Sequence, residues 1–207
     1  MTRTLVTGFE PFDGDRVNPS SAVLPLLAPE IATRTLPCVF GEALTALREA
    51  VLEARPDIVL CVGLAGGRAE LSLERVAINI DDARIADNGG NRPIDAAIAA
   101  DGPPAYFSGL PIKAAVAELR RAGLPAAVSN TAGTFVCNHV FYGLMHLAVG
   151  EKFRGGFLHV PYLPEQAARH PGAPSMALAD IARGIGIILD VAAARADDIR
   201  VSEGTFA

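Results

Sequence analysis

The side chains best suited to covalent chemistry in this 207-residue chain are three cysteines and four histidines. Cys137 follows a predicted strand and a short glycine-containing turn, and it opens an apolar helix. Unpaired backbone N–H groups and the positive end of the helix dipole favour the thiolate form of a cysteine at such a position. Cys38 and Cys61 lie within apolar strands, where a cysteine is usually an inert small hydrophobe. Position therefore makes Cys137 the candidate nucleophile.

A cysteine nucleophile needs a base, and the base needs a group that orients it. His159 ends an apolar strand and precedes a stiff proline-rich turn, which places its imidazole at the carboxyl edge of the predicted sheet. We expect that strand to lie close to the strand that precedes Cys137. A buried histidine bonded to the backbone explains the position of His159 equally well. The other histidines fit helix-face or solvated positions: His139, His146 and His170.

Glu74 is the candidate orienting group, because it lies among apolar neighbours at the start of a predicted strand. A carboxylate that enters a core is costly unless it is paired, so Glu74 should have a hydrogen-bond partner. Arg68 or Arg75 would give a structural ion pair, whereas an imidazolium at His159 would give a functional one.

Composition excludes several classes of function. Eighteen Lys plus Arg against 23 Asp plus Glu leave a net charge of −5, which argues against nucleic acid as a partner. No apolar stretch approaches the roughly 18 to 20 residues of a membrane span, and the N-terminus does not resemble a secretory signal. The three cysteines stand in no CxxC or metal-ligand spacing. We therefore expect a soluble cytoplasmic protein with no metal and no cofactor.

Apolar runs of strand length alternate with helical patterns, which favours a mainly parallel sheet covered by helices on both sides. The predicted strands are Thr4–Thr7, Ala32–Val39, Asp57–Val62, Arg75–Ile80, Ala126–Ser129 and Gly156–Val160. The predicted helices are Gly41–Ala54, Pro111–Ala122, Asn138–Val149 and Ser175–Ala194. Asp81–Gly109 shows no clear period, and long loops of this kind tend to be functional. We find no domain boundary and expect a single domain over residues 1–207.

Five separated motifs then point to a known family. They are TGFEPFDGDRVNPS (Thr7–Ser20), VGLAGGRAELSLERVAINIDDARIADNGGNRPID (Val62–Asp95), YFSGLPIK (Tyr106–Lys113), SNTAGTFVCNHVFYGLMH (Ser129–His146) and GFLHVPYLPEQ (Gly156–Gln166). In this order and spacing they resemble pyroglutamyl peptidase type I, or pyrrolidone-carboxylate peptidase. Members of that family are cytosolic cysteine peptidases that remove an N-terminal pyroglutamyl residue from peptides and proteins.

The resemblance implies a fold and a catalytic triad. The implied fold is a three-layer α/β/α sandwich with a twisted, mainly parallel mixed sheet, and the implied assembly is a homotetramer. The implied triad consists of Cys137 as nucleophile, His159 as general base and acid, and Glu74 as the group that orients the imidazole. Arg84 matches a family arginine that would help to stabilise the oxyanion.

The resemblance also implies a pocket for the lactam ring of the substrate. The matching residues are Phe9, Phe12, Asn18, Leu64, Ile85, Phe135 and Val136. Without the resemblance, ordinary core packing would be the natural interpretation of Phe9 and Phe12. Asp13 departs from the family pattern, in which a glycine is usual, and Leu64 stands where a glutamine is usual.

Two other classes of function compete with this interpretation. A non-catalytic domain that binds a small molecule would keep the pocket without turnover. A nucleotide- or phosphate-binding enzyme is suggested by GLAGGR, but this stretch lacks the established phosphate-loop spacings and is followed by a strand-like run.

Overall fold

The computed structural model of the protein describes residues 2–204, and its main element is a six-stranded sheet. The strands in chain order are β1 (Thr4–Phe9), β2 (Ala32–Leu36), β3 (Ile58–Leu64), β4 (Leu71–Glu74), β5 (Val76–Ile78), β6 (Ala105–Phe107), β7 (Ala126–Ser129) and β8 (Arg154–Val160). The helices are α1 (Pro19–Ala22), α2 (Glu42–Ala54), α3 (Ile112–Arg121), α4 (Val136–Ala148), α5 (Pro164–Ala167) and α6 (Leu178–Ala194).

The sheet is mixed but mainly parallel, with the strand order β2–β1–β3–β8–β4–β7. Strands β2, β1, β3 and β8 run in one direction, whereas β4 is antiparallel to β8 and parallel to β7. Strands β5 and β6 form a separate antiparallel ribbon. The predicted fold class, a mainly parallel α/β sheet with helices, is confirmed.

Two apolar clusters lie on opposite faces of the sheet, as continuously apolar central strands require. On β3, Val59 and Cys61 pack into the cluster that contains residues of α2 and α4. Leu60 and Val62 pack into the cluster that contains residues of α3 and α6. Successive side chains of this one strand thus pack alternately against the two helical layers, and β3 is buried from Ile58 to Gly63.

The predicted strand Arg75–Ile80 is present only as the shorter β5 (Val76–Ile78), and strand β4 before it was not predicted, because the chain divides there between two sheets. Strand β4 ends at Glu74, and β5 begins at Val76 in the two-stranded ribbon. Between them the Arg75 N–H donates to the carbonyl of Ser129, while the Arg75 carbonyl accepts from Ser108. Glu74 therefore ends a buried strand instead of starting one. The strand predicted to reach Val39 also stops earlier, at Leu36.

The strand before Cys137 is not the direct neighbour of the strand that carries His159. Strand β4 lies between β7 and β8, and β7 runs opposite to β8. The carboxyl ends of β7 and β8 consequently point in opposite directions along the sheet. The loop of residues 130–135 has to bring the chain from the end of β7 to the start of α4.

Within residues 2–204 the structure contains no helix long and apolar enough to cross a membrane.

Candidate active site

Strands β8 and β4 bring a histidine and a carboxylate together in the middle of the sheet. His159 pairs with Ser72 across these two strands, and Glu74 lies two residues further along β4. The Nδ1 atom of His159 is 2.7 Å from Oε1 of Glu74, and both side chains are buried. Since an ionised carboxylate can only accept, the imidazole carries its hydrogen on Nδ1 and leaves Nε2 open as an acceptor.

Arg68 binds the same carboxylate oxygen. Its Nη1 lies 2.7 Å from Oε1 of Glu74, and its Nη2 donates to the carbonyl of Thr131 at 3.1 Å. Both partners that the sequence allowed for Glu74, an arginine and His159, are therefore present at once. Arg68 also ties the carboxylate to the loop that leads to Cys137.

The environment keeps this pair in one charge state. Burial alone would raise the pKa of Glu74, but the hydrogen bond and charge of His159, together with the charge of Arg68, hold it below its ordinary value. Burial lowers the pKa of His159, and the opposing effect of Glu74 does not offset it. The resting pair is thus a carboxylate hydrogen-bonded to a neutral imidazole.

Cys137 reaches this pair across strand β3. A Cβ atom placed on Gly63 would lie only 2.8 Å from Sγ of Cys137. Gly63 is the register partner of His159 on the parallel strand β8, so the thiol and the imidazole lie over the same face of neighbouring strands.

Hydrogen bonds on both sides of Cys137 hold the start of helix α4 in place. Thr134 and Asp82 exchange two hydrogen bonds, one through the Thr134 hydroxyl at 2.7 Å and one from the Asp82 N–H at 3.0 Å. The amide of Asn138 accepts from the Ile78 N–H and donates to the carbonyls of Ile78 and Ile80. This anchors the first turn of α4 to the ribbon strand β5.

Desolvation opposes the thiolate that the start of helix α4 would favour at Cys137. Burial raises the pKa of the Cys137 thiol well above its ordinary value, and the negative charge of Glu74 adds to this effect. Arg68 opposes it only in part. No side chain caps the N-terminus of α4, so desolvation acts there against the helix dipole and favours a neutral thiol at Cys137.

Phe135, two positions before Cys137, packs against two other aromatic side chains. Phe12 lies 6.1 Å from Phe135 between ring centroids, and Phe40 meets Phe135 edge-on at 5.4 Å. Phe40 was missed in the sequence, where no motif distinguishes it. Phe9 is 2% exposed and packs against Phe157, whose ring contacts His159, so it supports the imidazole from within the core.

The other predicted site residues are placed differently from one another. Val136 is buried at the first position of α4, and Leu64 and Ile85 are half-buried. Arg84 is exposed, and it makes no hydrogen bond or ion pair within residues 2–204. Asn18 is buried with its amide committed to the chain, because it caps α1 through Ser20 and donates to the carbonyl of Glu10.

Polar side chains join the loops around the aromatic wall formed by Phe12 and Phe135, and sequence reasoning did not single them out. The carboxylate of Glu10 accepts from the Cys38 N–H and from the amide of Asn88. Asp87 accepts from the Phe40 N–H at 2.8 Å and from three donors of its own turn, and these bonds lower its pKa although burial opposes them. The only signal for them in the sequence was the long segment Asp81–Gly109, which shows no clear period and which these hydrogen bonds hold in place.

Neither a metal site nor a phosphate loop stands out near these residues. Within residues 2–204 no group of three or more His, Cys, Asp or Glu side chains is arranged to hold a metal ion. The stretch GLAGGR leads from β3 into strand β4 and not into a helix, so it lacks the helix N-terminus on which phosphate loops depend.

Taken together, a mainly parallel α/β fold carries a cysteine over a histidine–glutamate pair, which is the arrangement of a hydrolase that uses a cysteine nucleophile. A family model described as pyroglutamyl peptidase matches residues 2–195. The chain belongs to the pyroglutamyl peptidase family, whose members are cysteine peptidases that remove N-terminal pyroglutamate, and the resemblance found in the sequence is thereby confirmed.

Individual relatives agree with this assignment. The chain is 57% identical to pyrrolidone-carboxylate peptidase 1 of Ralstonia nicotianae, over 99% of each chain. Pyroglutamyl peptidase I of Bacillus amyloliquefaciens has a similar crystal structure, with a TM-score of 0.94, 48% identity, and coverage of 97% of this chain and 99% of that one. A variant of pyrrolidone carboxyl peptidase from Pyrococcus furiosus gives a TM-score of 0.89 at 40% identity, over 93% of this chain and 99% of the other.

Proposed function

We propose that this protein hydrolyses the bond after an N-terminal pyroglutamyl residue, with Cys137 as nucleophile, His159 as general base and acid, and Glu74 as its orienting carboxylate. The observation that carries the proposal is the 2.7 Å hydrogen bond from His159 to Glu74, on the strand beside the glycine that faces the Cys137 sulfur. A cysteine beside such a pair has both the base and the fixed imidazole that acyl transfer needs.

The reaction starts from neutral partners. As Sγ of Cys137 attacks the pyroglutamyl carbonyl, its proton passes to Nε2 of His159, and Glu74 stabilises the imidazolium that forms. The C–N bond then breaks, the imidazolium protonates the leaving amine, and a thioester remains on Cys137. Water attacks this thioester with His159 again as base, which releases pyroglutamate and restores the thiol.

The start of helix α4 supplies donors for the oxyanion. Because no side chain caps this helix, the N–H groups of its first turn remain available as donors next to Cys137. Each well-placed donor of this kind contributes about 3 to 4 kcal/mol to stabilisation of the tetrahedral intermediate. We propose that Arg84 also stabilises the oxyanion, since it is exposed and free to approach a bound substrate.

The substrate group is a neutral five-membered lactam. Flat apolar walls suit its ring, whereas the ammonium group of an N-terminal Gln or Glu would lose its hydration against these walls. We assign the pocket to the aromatic wall of Phe12 and Phe135, with the remaining predicted residues around it: Phe9, Asn18, Leu64, Ile85 and Val136.

Hydrolysis of a chromogenic pyroglutamyl amide tests the proposal directly. We expect turnover by the wild-type protein and no measurable turnover by Cys137→Ala. Cys61→Ala is the matched control, because it removes a second thiol on the same face of the sheet and should retain activity. Residual activity in Cys137→Ala would contradict the assigned nucleophile, and binding of the amide without turnover by the wild type would support the non-catalytic alternative.

The substrates, the cellular location and the assembly of the protein follow from the same proposal. The substrates are peptides with an N-terminal pyroglutamyl residue, and nucleic acids and membranes are not partners. We place the enzyme in the cytoplasm, where the free thiols of Cys38, Cys61 and Cys137 stay reduced. The homotetramer implied by the family resemblance is tested by light scattering, which should give about four times the chain mass of 21.6 kDa.

A further inference from the structure

A second buried histidine–carboxylate pair lies on the side of helix α4 away from the thiol. Nδ1 of His139 is 2.8 Å from Oδ2 of Asp81, and each residue is 6% exposed. His139 follows Cys137 by two positions, and side chains so spaced on a helix do not face each other. His139 therefore has no direct access to the reacting atoms.

The other ring nitrogen of His139 holds a different segment. The N–H of Gly41 donates to Nε2 of His139 at 3.0 Å. Because Nε2 accepts, the hydrogen of the neutral ring lies on Nδ1 and is donated to Asp81. The imidazole thus connects two segments of the chain. One is the turn at Gly41, directly after Phe40, and the other is the segment at Asp81, after strand β5.

Each stretch is fixed at its own end. Asp81 exchanges two backbone hydrogen bonds with Ala96, which closes the long segment after β5. Gly41 has a φ of 76°, a backbone conformation that residues other than glycine rarely adopt, so the chain turns sharply just after Phe40. The bond to His139 fixes that turn.

Phe40 then connects the histidine to the site. Its ring meets the His139 ring edge-on at 5.3 Å and the Phe135 ring edge-on at 5.4 Å. Phe135 in turn contacts Phe12 in the aromatic wall. A shift of Phe40 would therefore remove the support behind Phe135, the residue two positions before the nucleophile.

We propose that His139, held by Asp81, is a positioning residue that fixes Phe40 behind Phe135 and thereby sets the affinity of the site for the lactam ring. The inference rests on the proposed function of the site, and its effect falls on substrate binding more than on bond cleavage. A group that only supports the pocket wall acts on ground-state and transition-state binding alike, so its loss raises KM and leaves kcat nearly unchanged.

Two substitutions of His139 separate its two hydrogen bonds. In His139→Asn the amide nitrogen can take the place of Nδ1 and keep the bond to Asp81, but nothing reaches Gly41. In His139→Gln the longer side chain can place its carbonyl oxygen near the position of Nε2 and accept from Gly41. The proposal assigns the effect to the Gly41 side, so Gln should rescue what Asn loses.

The experiment measures kcat and KM on a chromogenic pyroglutamyl amide, and inhibition by 2-pyrrolidone, which is the bare lactam ring. For His139→Asn we expect KM and the inhibition constant of 2-pyrrolidone to rise together by roughly tenfold, the size of one lost hydrogen bond, while kcat changes less than about threefold. For His139→Gln both increases should be about threefold or less.

His146→Asn is the matched control. His146 lies on the same helix and is bonded through Nδ1 to the Tyr106 hydroxyl at 2.9 Å, in contact with neither Phe40 nor Gly41. It should leave KM, kcat and the inhibition constant at their wild-type values. A KM increase in His146→Asn equal to that in His139→Asn would mean a general loosening of α4 and would overturn the inference.

Phe40→Leu tests the same chain of contacts without touching the histidine, and it serves where His139→Asn fails to fold. We expect a similar rise in KM, and little further rise when it is combined with His139→Asn, because both remove one support. Additive effects, or a loss of kcat with KM unchanged, would overturn the inference. Failure of the proposed function is a separate result, since the wild-type protein would then show no turnover of the pyroglutamyl amide at all.

Discussion

The protonation state of Cys137 and His159 determines which of two cysteine mechanisms the site can use. In some cysteine enzymes the resting pair is a thiolate and an imidazolium, formed where positive charge lowers the pKa of the thiol. Here burial raises the pKa of the Cys137 thiol and lowers that of the His159 imidazole, and both shifts favour a neutral resting pair. The thiol proton of Cys137 would then pass to His159 during the attack on the substrate carbonyl, and not before it.

Ultraviolet absorbance of the thiolate tests this state. The difference spectrum between the wild-type protein and Cys137→Ala should show much less than one thiolate per chain at neutral pH. The thiolate should appear only at alkaline pH, above the titration of an ordinary cysteine, because a raised pKa keeps the proton on sulfur to higher pH. A full thiolate signal at neutral pH that disappears on acidification would contradict the neutral pair.

Residue type and position were enough to predict some members of the site, and contacts were needed for the rest. Cys137, His159 and Glu74 could be singled out because a reactive residue at a strand or helix end carries a local signal. Arg68 could be named only as one of two arginines near Glu74, and His139 carries no such signal, since their importance depends on partners six and 58 positions away in the chain. The desolvation of Cys137 could not be anticipated, because the helix dipole can be seen in a sequence, whereas the surroundings of the thiol in the folded chain cannot.

At the scale of elements, strand β3 positions the thiol by having no side chain where it passes the site. A Cβ on Gly63 would lie 2.8 Å from Cys137 Sγ and 2.9 Å from Phe157 Cζ, closer than such atoms approach in real structures. The glycine is therefore part of the geometry of the active site, although it contributes no functional group.

Gly63→Ala should displace the Cys137 side chain while the sheet remains intact. We expect kcat/KM to fall by about a hundredfold, since a misplacement of about 1 Å at a reacting atom can cost this much. Steady-state kinetics and circular dichroism separate the two effects. The control is Gly186→Ala on helix α6, where a Cβ meets nothing within 4 Å, so it should retain activity and gain up to about 1 kcal/mol in stability. Wild-type kinetics in Gly63→Ala would contradict the close approach.

The turn after β1 explains how the chain tolerates its departure from the family pattern at position 13. Asp13 and Gly14 have φ values of 53° and 78°, and the Asp15 N–H closes the turn on the Phe12 carbonyl at 3.1 Å. Positive φ at both central positions is typical of a type I′ turn, which accepts Asp as well as Gly at its first central position.

Substitutions in this turn should follow the backbone angles. Asp13→Gly should change the free energy of unfolding by less than about 0.5 kcal/mol, because relief of the left-handed conformation is offset by a freer unfolded chain. Gly14→Ala should lose about 1 kcal/mol, although its Cβ would meet nothing within 4 Å. Urea unfolding measures both changes, and an equal loss in the two variants would argue against the turn type.

The order of strands and helices was largely predictable, whereas the path of the chain between residues 71 and 80 was not. Alternating apolar runs indicated the α/β class, and the central strands have nearly the predicted bounds. The run LSLERVAINI carries one continuous apolar pattern, yet the chain turns at Arg75 and serves two sheets. Nothing in that pattern distinguishes a strand that continues from one that changes partners, because both bury the same side chains.

At the scale of the whole molecule, one sheet from β2 to β7 connects both apolar clusters, which supports our proposal of a single domain. A chain of this kind should unfold in one cooperative transition, with circular dichroism and tyrosine fluorescence following the same curve. Two separated transitions would indicate two independently folding units.

The cysteine thiols should make that stability depend on pH in the alkaline range, because Cys38 and Cys61 are buried and Cys137 is partly buried. Burial raises the pKa of Cys38 and of Cys61 to about 12, and it raises the pKa of Cys137 as well. Between the pKa of an exposed cysteine and these values, the folded chain keeps protons that the unfolded chain has lost. The unfolded state then binds fewer protons, so the free energy of unfolding falls as the pH rises.

Cys61→Ala isolates this effect, because Cys61 is fully buried and lies outside the proposed chemistry. Each such thiol should contribute a slope of about 1.4 kcal/mol per pH unit above the pKa of an exposed cysteine. Urea unfolding at several pH values between neutral and strongly alkaline should therefore give a shallower loss for Cys61→Ala than for the wild type. The groups common to both proteins cancel in the difference, as does the constant cost of the smaller side chain. Parallel curves would mean that the Cys61 thiolate is tolerated in the folded core, contrary to its complete desolvation.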